Sequence, residues 1–308
     1  MRPMLPLERK VSELQRLLSS YEQVLVCFSG GVDSSYLLAE AVRSLNGGAV
    51  AFTAVSPSLA PWEGKEAAGL ARRLGARHLL VETRELDDPR YAANPVNRCY
   101  FCKTEVYGVA VEEARKHGID KILDGFNRDD RGDHRPGRKA AREHGILSPL
   151  DEIGFGKDDI RRAAREIGVP VWDKPALACL SSRFPYGTEI TTRRLEQVAE
   201  CEAVLRDSGF RIFRVRYHDA VARIEVSEDE LPRLLQTEVK EMILRRFRQS
   251  GFTYVSVDLQ GYRTGSMNET VTGGRKIVQL EGASKMSGME AAETESYSWK
   301  LQRQARQA

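Results

Sequence analysis

One stretch near the amino terminus, residues 24–35 with the sequence VLVCFSGGVDSS, restricts the fold more than any other part of the chain. Its first part, residues 24–28, is apolar and has the length and β-branched content of a buried parallel strand. Two glycines follow, and a helical pattern of apolar residues opens at Ser34. Glycines let a backbone bring its N–H groups close to a ligand, and a helix N-terminus favours negative charge. The stretch therefore predicts a phosphate-binding turn between a strand and a helix.

The candidate ligands of this turn are backbone amides, hydroxyls and one carboxylate. They are Ser29, Gly30, Gly31, Asp33, Ser34 and Ser35. Asp33 is the candidate to hold a Mg²⁺ ion that bridges phosphate oxygens. No GxxxxGK[ST] motif follows a strand, and the third glycine of a dinucleotide fingerprint is missing, so neither of those phosphate loops is present. A plain β–α turn capped by an Asp or a Ser is the competing interpretation.

Alternating apolar and amphipathic segments predict an α/β fold built on a parallel sheet. The predicted strands are residues 24–28, 49–55, 78–81 and 121–123, with a short edge strand at 146–149. Ligands of such sheets lie beyond the carboxyl ends of strands. Asp124 and Asn127 follow the fourth strand, so they are further candidates to contact a nucleotide, and an Asx turn is the equal alternative for both.

After residue 175 the pattern changes to that of a smaller α+β unit. It consists of a helix that ends at Gly209, facing strands at 211–217 and 221–226, one helix over 227–248 and a last strand at 252–259. We therefore predict domains at residues 1–175 and 176–271. The remaining residues, 272–308, are polar and charged, which predicts a disordered tail.

Composition is that of an ordinary globular protein with a core, since 41% of the 308 residues are hydrophobic and 30% are charged. The net charge of +3 is too small to argue for nucleic acid or a membrane surface. No run approaches the roughly 18 apolar residues of a membrane span, and no signal peptide is visible. We expect a cytoplasmic protein.

The five cysteines are an odd number in a chain without an export signal, so we do not expect a disulfide framework. Cys27 and Cys201 are predicted to be inert. Cys99 and Cys102 form a CxxC motif, which we expect to lie in a loop, and Cys179 comes from a distant segment. Three thiolates suit an iron–sulfur cluster with one iron left open. Three unrelated thiols are the equal alternative.

Arg183 follows Cys179 in a segment whose prolines and glycine predict an irregular loop. The planar fork of an arginine suits a phosphate or a carboxylate, so Arg183 is a candidate substrate ligand. A surface arginine without such a role is the competing interpretation.

Longer motifs add a family resemblance. SGGVDSS resembles the pyrophosphate loop of the N-type ATP pyrophosphatases, which cleave ATP between the α and β phosphates to adenylate a substrate. Together with DGFNRDD, DHRPGRKAAREHGILSPL, SSRFPYGTEIT, RVRYHDAVARIEV and DLQGYRTGSMNE, it resembles LarE over about residues 10–272. LarE supplies sulfur to the nickel-pincer nucleotide cofactor of lactate racemase and related enzymes.

The resemblance implies an ATP pyrophosphatase domain, of the adenine nucleotide alpha hydrolase-like kind, with a smaller α+β C-terminal domain. It also implies that the chain adenylates one carboxylate of pyridinium-3,5-dicarboxylate mononucleotide and replaces the activated oxygen with sulfur. The glycine-turn residues would then hold ATP phosphates and Mg²⁺. Arg183, Arg214 and Arg263 are candidates for the substrate phosphate and carboxylates.

The family has two forms, which differ in their source of sulfur. In one, a lone cysteine before SSRFPYG gives up its own sulfur and becomes dehydroalanine. In the other, three cysteines hold a 4Fe-4S cluster that carries an extra, exchangeable sulfide. This chain has Cys99, Cys102 and Cys179, so it resembles the cluster form. A sacrificial role for Cys179 is the alternative if the CxxC binds nothing.

The expected partners are a small-molecule nucleotide substrate and further copies of the chain in a homo-oligomer, with no nucleic acid and no membrane. The resemblance does not identify the sulfide donor. A tRNA-thiolating enzyme of the same superfamily is a rival, although the near-neutral charge argues against nucleic-acid binding. A sensor that binds ATP without chemistry is a third hypothesis.

Overall fold

The computed structural model describes residues 5–132, 136–175, 178–263 and 266, so the predicted tail at 272–308 lies outside the described residues. The strands, in chain order, are β1 (Val24–Cys27), β2 (Ala49–Val55), β3 (Arg77–Glu82), β4 (Lys121–Leu123), β5 (Phe213–His218), β6 (Val221–Val226) and β7 (Tyr254–Val257). The helices are α1 (Leu7–Ser19), α2 (Val32–Leu45), α3 (Pro61–Arg73), α4 (Pro89–Ala92), α5 (Arg98–Lys116), α6 (Gly137–Glu143), α7 (Pro149–Ile153), α8 (Lys157–Glu166), α9 (Thr192–Asp207), α10 (Leu231–Leu234) and α11 (Thr237–Gln249). Short 3₁₀ turns lie at Glu85–Asp87, Arg128–Gly132, Leu180–Arg183 and Glu228–Glu230.

The larger sheet contains β1 to β4, all parallel, in the order β3-β2-β1-β4. Val24 of β1 pairs with Ala49 of β2 on one side and with Lys121 of β4 on the other. Because the chain moves outward from β1 to β3 and then returns to the opposite side of β1, the strand order reverses between β1 and β4. Such a reversal is where doubly wound sheets bind ligands. The predicted α/β fold with a parallel sheet is confirmed.

Both faces of this sheet are covered by helices, since successive residues of a strand point to opposite faces. Val24 and Val26 pack with α1, α2, α3 and α8, whereas Leu25 packs with α5 and α6. This explains why β1 is apolar at every position rather than at alternate ones. Among the described residues, no helix has the length and apolar composition needed to cross a membrane.

The smaller sheet has the order β5-β6-β7, with β5 antiparallel and β7 parallel to β6. α9 and α11 pack on it. Its core also contains Tyr91 and Ala60 from the first half of the chain and Leu180 and Phe184 from the Cys179 loop. The boundary at residues 175 and 176 stays a prediction.

The CxxC motif does not lie in a loop as predicted but in the first turn of α5. Neither proline nor glycine separates Cys102 from the helical residues that follow, so the helix extends back to Arg98. The helix begins at Arg98 because the preceding segment contains Pro95 and the N-cap residue Asn97.

Two other local predictions were wrong. The single helix expected over 227–248 is divided into the 3₁₀ turn Glu228–Glu230, α10 and α11. Pro232 has no amide hydrogen to continue a helix from residue 228, so it sits in the first turn of α10 instead. The edge strand expected at 146–149 is reduced to one bridge between Leu123 and Leu147, because Pro149 begins α7.

Candidate active site

The glycine turn joins β1 to α2 as predicted. Gly30 has a φ of +71°, a left-handed conformation that side chains disfavour, and a Cβ there would lie 3.4 Å from the Cβ of Ala67. The N-cap of α2 is Gly31, and no described side chain caps it. The amides of the first turn of α2 are therefore placed at the carboxyl end of β1, where an anion can bind them.

Hydroxyl groups hold the shape of the turn. The Ser34 Oγ donates to the carbonyl of Gly31 (3.2 Å) and accepts from the amide of Ser29 (3.3 Å). The Ser29 Oγ lies 3.2 Å from the Ser34 Oγ and accepts from the amide of Gly31 at 3.3 Å. Ser35 is fully buried, and its Oγ has no hydrogen-bond partner among the described residues. Ser29 and Ser34 thus preorganise the backbone amides.

The loop after β4 contacts the start of α2, as the strand order requires. A Cβ on Gly125 would lie 2.8 Å from the amide nitrogen of Ser34, so only glycine allows this approach. The Asn127 side chain is buried and donates to a carboxylate oxygen of Asp33 at 3.3 Å. Asn127 therefore orients the carboxylate that we expect to hold Mg²⁺.

Asp124 is placed at the same edge of the sheet but is engaged by neighbouring side chains. One carboxylate oxygen accepts from the hydroxyl of Tyr107 (2.9 Å), and the other accepts from that of Ser148 (2.8 Å). The second oxygen also accepts from the amide of Phe126 at 3.2 Å, which is an Asx turn. These contacts give Asp124 a role in shaping the loop that carries Gly125 and Asn127.

A cavity of about 660 Å³ opens beside the glycine turn. Its volume is within the range of small-molecule sites. The lining residues are Gly30, Glu66, Gly69, Leu70, Arg73, Pro170, Val171, Asp173, Lys174, Pro175 and Arg211. Three of them are cationic and two are anionic, and Lys174 pairs with Glu66 at 2.8 Å. The cavity provides room for a ligand next to Gly30.

The structure brings the thiols of Cys99, Cys102 and Cys179 close enough to interact electrostatically. Burial raises the pKa of Cys102, and the nearby Cys179 raises it further. Desolvation by the surrounding protein and Cys179 likewise raise the pKa of Cys99, which Arg98 and Lys103 partly oppose. Neutral thiols are therefore favoured as long as nothing binds them.

Thiolates are the usual ligands of iron–sulfur clusters, so the chemistry of the three cysteines is that of the predicted cluster. In the described part of the chain, no three Cys, His, Asp or Glu side chains converge so that they could hold one metal ion. In a four-iron cluster each thiolate binds a different iron, so three cysteines need not meet at one point. The cluster therefore stays a prediction that rests on the chemistry of the three thiols.

Hydrogen bonds fix the Cys179 loop to the carboxyl end of β2. The amide of Leu180 donates to the carbonyl of Ser58 at 2.9 Å. The buried hydroxyl of Tyr91 lies 2.6 Å from the Oγ of Ser181 and 2.7 Å from the Oγ of Ser58. Asn94 adds a bond from its Nδ2 to the carbonyl of Pro185 at 2.7 Å. The strands β1 and β2 are neighbours and parallel, so this loop lies at the same edge of the sheet as the glycine turn.

The three predicted substrate arginines occupy different environments. Arg183 is buried against Glu202, and its Nη1 donates to the carbonyls of Ala178 and Cys179. Arg214 lies over the ring of Tyr262, with 5.1 Å from the guanidinium carbon to the ring centre. Burial and the neighbouring Arg183 lower the pKa of Arg214.

Arg263 follows Tyr262, whose amide donates to the carbonyl of Val226 at 2.7 Å, and its Nη1 lies 3.7 Å from a carboxylate oxygen of Asp258. Its contact therefore differs from those of Arg183 and Arg214, which face each other closely enough to interact. Arg214 interacts with Arg183 and lies over the ring of Tyr262, the residue before Arg263.

Sequence reasoning missed several buried charged residues around the same loop. Arg216 donates to the carbonyl of Ser182 at 3.1 Å and to the fully buried Glu225 at 2.6 Å. Glu202 accepts from Arg183 and from the amide of Val215. The sequence did contain a signal for the pair of Arg216 and Glu225. Both are charged residues within predicted strands, and charged residues on neighbouring strands can face one another across a sheet.

A family model and several known proteins are similar to this chain. The model of the asparagine synthase family matches residues 12–105, which contain the glycine turn and the CxxC motif. An uncharacterised protein of Synechocystis is 42% identical over 266 residues, which is 86% of this chain and 99% of that protein. An uncharacterised protein of Methanocaldococcus jannaschii is 30% identical over 246 residues, 79% of this chain and 92% of that protein.

One relative has a named activity. The pyridinium-3,5-bisthiocarboxylic acid mononucleotide synthase of Lactiplantibacillus plantarum, a LarE protein, is 37% identical over 270 residues, which is 87% of this chain and 97% of that enzyme. The match therefore covers most of both chains. This chain therefore belongs to the LarE family of ATP pyrophosphatases.

Proposed function

We propose that this protein is an ATP-dependent sulfur transferase that converts a carboxylate of pyridinium-3,5-dicarboxylate mononucleotide to a thiocarboxylate. The activity named for the Lactiplantibacillus plantarum relative supports this substrate class. The observation that carries the proposal is the hydrogen bond from the amide of Leu180 to the carbonyl of Ser58. It ties the loop of Cys179 to the residues after β2, beside the phosphate-binding turn after β1.

In the first step, a carboxylate oxygen of the substrate attacks the α-phosphorus of ATP. A P–O bond forms, the bond between the α-phosphorus and its bridging oxygen breaks, and pyrophosphate leaves. The amides of Gly30 and Gly31 and the hydroxyls of Ser29 and Ser34 bind the phosphates, whereas the fully buried Ser35 does not reach them. Asp33, oriented by Asn127, would hold Mg²⁺, which when bound would offset the negative charge of the leaving pyrophosphate.

In the second step, a sulfur nucleophile attacks the acyl carbon, a C–S bond forms, and the C–O bond to AMP breaks. AMP leaves with the electron pair of that bond. Cys99, Cys102 and Cys179 would hold a 4Fe-4S cluster, which when bound supplies an exchangeable sulfide. Arg214 and Arg263 are the proposed partners of the substrate's phosphate and remaining carboxylate. Arg183, buried and engaged by Glu202 and by the carbonyls of Ala178 and Cys179, holds the Cys179 loop instead.

A test uses full-length protein purified without oxygen, ATP with Mg²⁺, and the dicarboxylate mononucleotide. Pyrophosphate, AMP and the mass of the product are measured beside iron and sulfide contents. We expect one pyrophosphate and one AMP per thiocarboxylate formed, and bound iron that is lost in Cys99→Ala. The matched control, Cys201→Ala, removes a buried thiol from α9 and should keep its iron.

Three outcomes would contradict parts of the proposal. Pyrophosphate release that requires tRNA instead of the mononucleotide would make the chain a tRNA-thiolating enzyme. One turnover without iron, with Cys179 converted to dehydroalanine, would favour the sacrificial form. ATP binding without any release of pyrophosphate would leave only a sensor. Homo-oligomer formation and a cytoplasmic location are further parts of the proposal, to be checked by light scattering and by cell fractionation.

A further inference from the structure

Arg98, the first residue of α5, is a buried cation with no acidic partner among the described residues. Only 5% of the residue is exposed. Its Nη1 donates to the carbonyl of Ser181 at 2.9 Å and to the side-chain oxygen of Asn94, and both acceptors are neutral. In the part of the chain that the structure describes, no Asp or Glu forms an ion pair with it. Burying a charge without a counter-charge is costly, so an anion is expected nearby.

The groups that surround Arg98 and can become anionic are the thiols. Cys99 and Cys179 both lie close enough to interact electrostatically with its guanidinium. Two phenols, of Tyr91 and Tyr186, are its other such neighbours. Cysteine binds metal as the thiolate, so iron binding would create negative charge directly beside this arginine.

Arg98 also connects the two segments that carry the thiols. It precedes Cys99 in the chain, and its hydrogen bond reaches Ser181, two residues after Cys179. Lys103 is the other cation near Cys99 and Cys102, but its ammonium lies 5.1 Å from the ring centre of Tyr107. Arg98 is thus the cation that touches both segments.

We propose that Arg98 is a positioning residue that offsets the negative charge of the three cysteine thiolates and holds the CxxC segment against the Cys179 loop. This inference rests on the proposed function, because it requires a cluster held by those cysteines. A purely structural arginine is the competing explanation. The two explanations predict different results for a variant that keeps the positive charge but loses the planar guanidinium. They also predict different midpoint potentials for the bound cluster.

The test compares wild type with Arg98→Lys and Arg98→Met, all purified and loaded with iron and sulfide without oxygen. The matched control is Arg115→Met, which makes the same change at an exposed position in the last turn of the same helix. The measurements are iron and sulfide per chain, the midpoint potential of the bound cluster, and far-ultraviolet circular dichroism. The midpoint potential depends on the charge near the cluster. Loss of an arginine with a purely structural role would leave that potential unchanged.

We expect Arg98→Met to bind several-fold less iron, and its remaining cluster to have a more negative midpoint potential, since the lost positive charge had favoured the reduced state. Arg98→Lys should recover most of the iron and a potential near that of wild type. Arg115→Met should equal wild type in all three measurements.

Each contrary result has one meaning. Wild-type protein that binds no iron would disprove the cluster in the proposed function, and the role of Arg98 with it. Wild-type protein that binds iron, together with an Arg98→Met variant of unchanged iron content and potential, would overturn only the inference about Arg98. Equal loss of iron from the Lys and Met variants would show a structural tie without a charge effect and would also overturn it.

Discussion

Glu202 and Arg183 form a buried ion pair through two parallel hydrogen bonds, from Nε to Oε1 and from Nη2 to Oε2, each 2.9 Å long. Their side chains are 1% and 3% exposed. The third nitrogen of the guanidinium donates to the carbonyl of Cys179, and Glu202 also accepts from the amide of Val215. This pair therefore connects the Cys179 loop to α9 and β5.

We predict that Glu202→Gln destabilises the protein by about 3–5 kcal/mol, because it leaves the Arg183 guanidinium buried without a counter-charge. Urea unfolding at neutral pH measures the change. Glu200→Gln is the matched control, since Glu200 is an exposed residue on the same helix, and its effect should stay within about 0.5 kcal/mol. Equal stability of the two variants would show that the buried pair contributes little.

The approach of Gly125 to the start of α2 leads to a second prediction. In Gly125→Ala the new methyl group would meet the amide of Ser34 at 2.8 Å, so the loop after β4 must move away from the glycine turn. We expect pyrophosphate release to fall about 100-fold, since small displacements of positioning groups have effects of this size. The measurement is the rate of pyrophosphate formation at saturating substrates.

Gly108→Ala is the control for that prediction. Gly108 lies within α5, and a Cβ there would have its nearest contact at 3.7 Å, with the ring of His144. The substitution should leave pyrophosphate release unchanged and raise the stability by up to about 1 kcal/mol, as alanine is the better helix former. Full activity in Gly125→Ala would mean that the contact between the two loops has no part in catalysis.

The pair of Lys10 and Asp159 predicts how stability depends on pH. The ammonium of Lys10, 2% exposed, lies 2.6 Å from a carboxylate oxygen of Asp159. Partial burial raises the pKa of Asp159, but hydrogen bonds from the amide of Gly156 and from Lys10 outweigh it, so the pKa lies below the ordinary value. The folded state therefore binds the proton of the Asp159 carboxyl group more weakly than the unfolded state does.

The stabilising contribution of Asp159 is complete above the unfolded-state pKa of about 3.9 and is lost as the pH falls through the lower folded-state pKa. Asp159→Asn should cost about 3 kcal/mol at pH 7, and the difference from wild type should shrink below about pH 4. Unfolding free energies between pH 7 and pH 3 measure it. Asp158→Asn, at the exposed neighbouring position, should follow the wild-type curve, and a pH-independent difference for Asp159→Asn would contradict the argument.

Local chemistry accounts for the parts of the fold that were predicted correctly. The run from Val24 to Cys27 can only be a strand covered on both faces, and Gly30 supplies the left-handed residue that a tight turn into α2 needs. The break at Pro232 follows from an equally local rule, the missing amide hydrogen, and the prediction of one helix there failed to apply it. The start of α5 was missed because CxxC motifs occur in loops and helices alike.

The sequence by itself determined the glycine turn, the parallel sheet and the family, because these depend on short patterns whose conformations are restricted by backbone sterics. Only the tertiary structure decided which distant residues meet. It paired Arg183 with Glu202, left Arg98 among thiols and neutral oxygens, and set the Cys179 loop against Ser58. The physical reason is that the partners of a buried charge are the groups that tertiary packing places beside it. Those groups come from separate segments, and their spacing along the chain does not predict the contact.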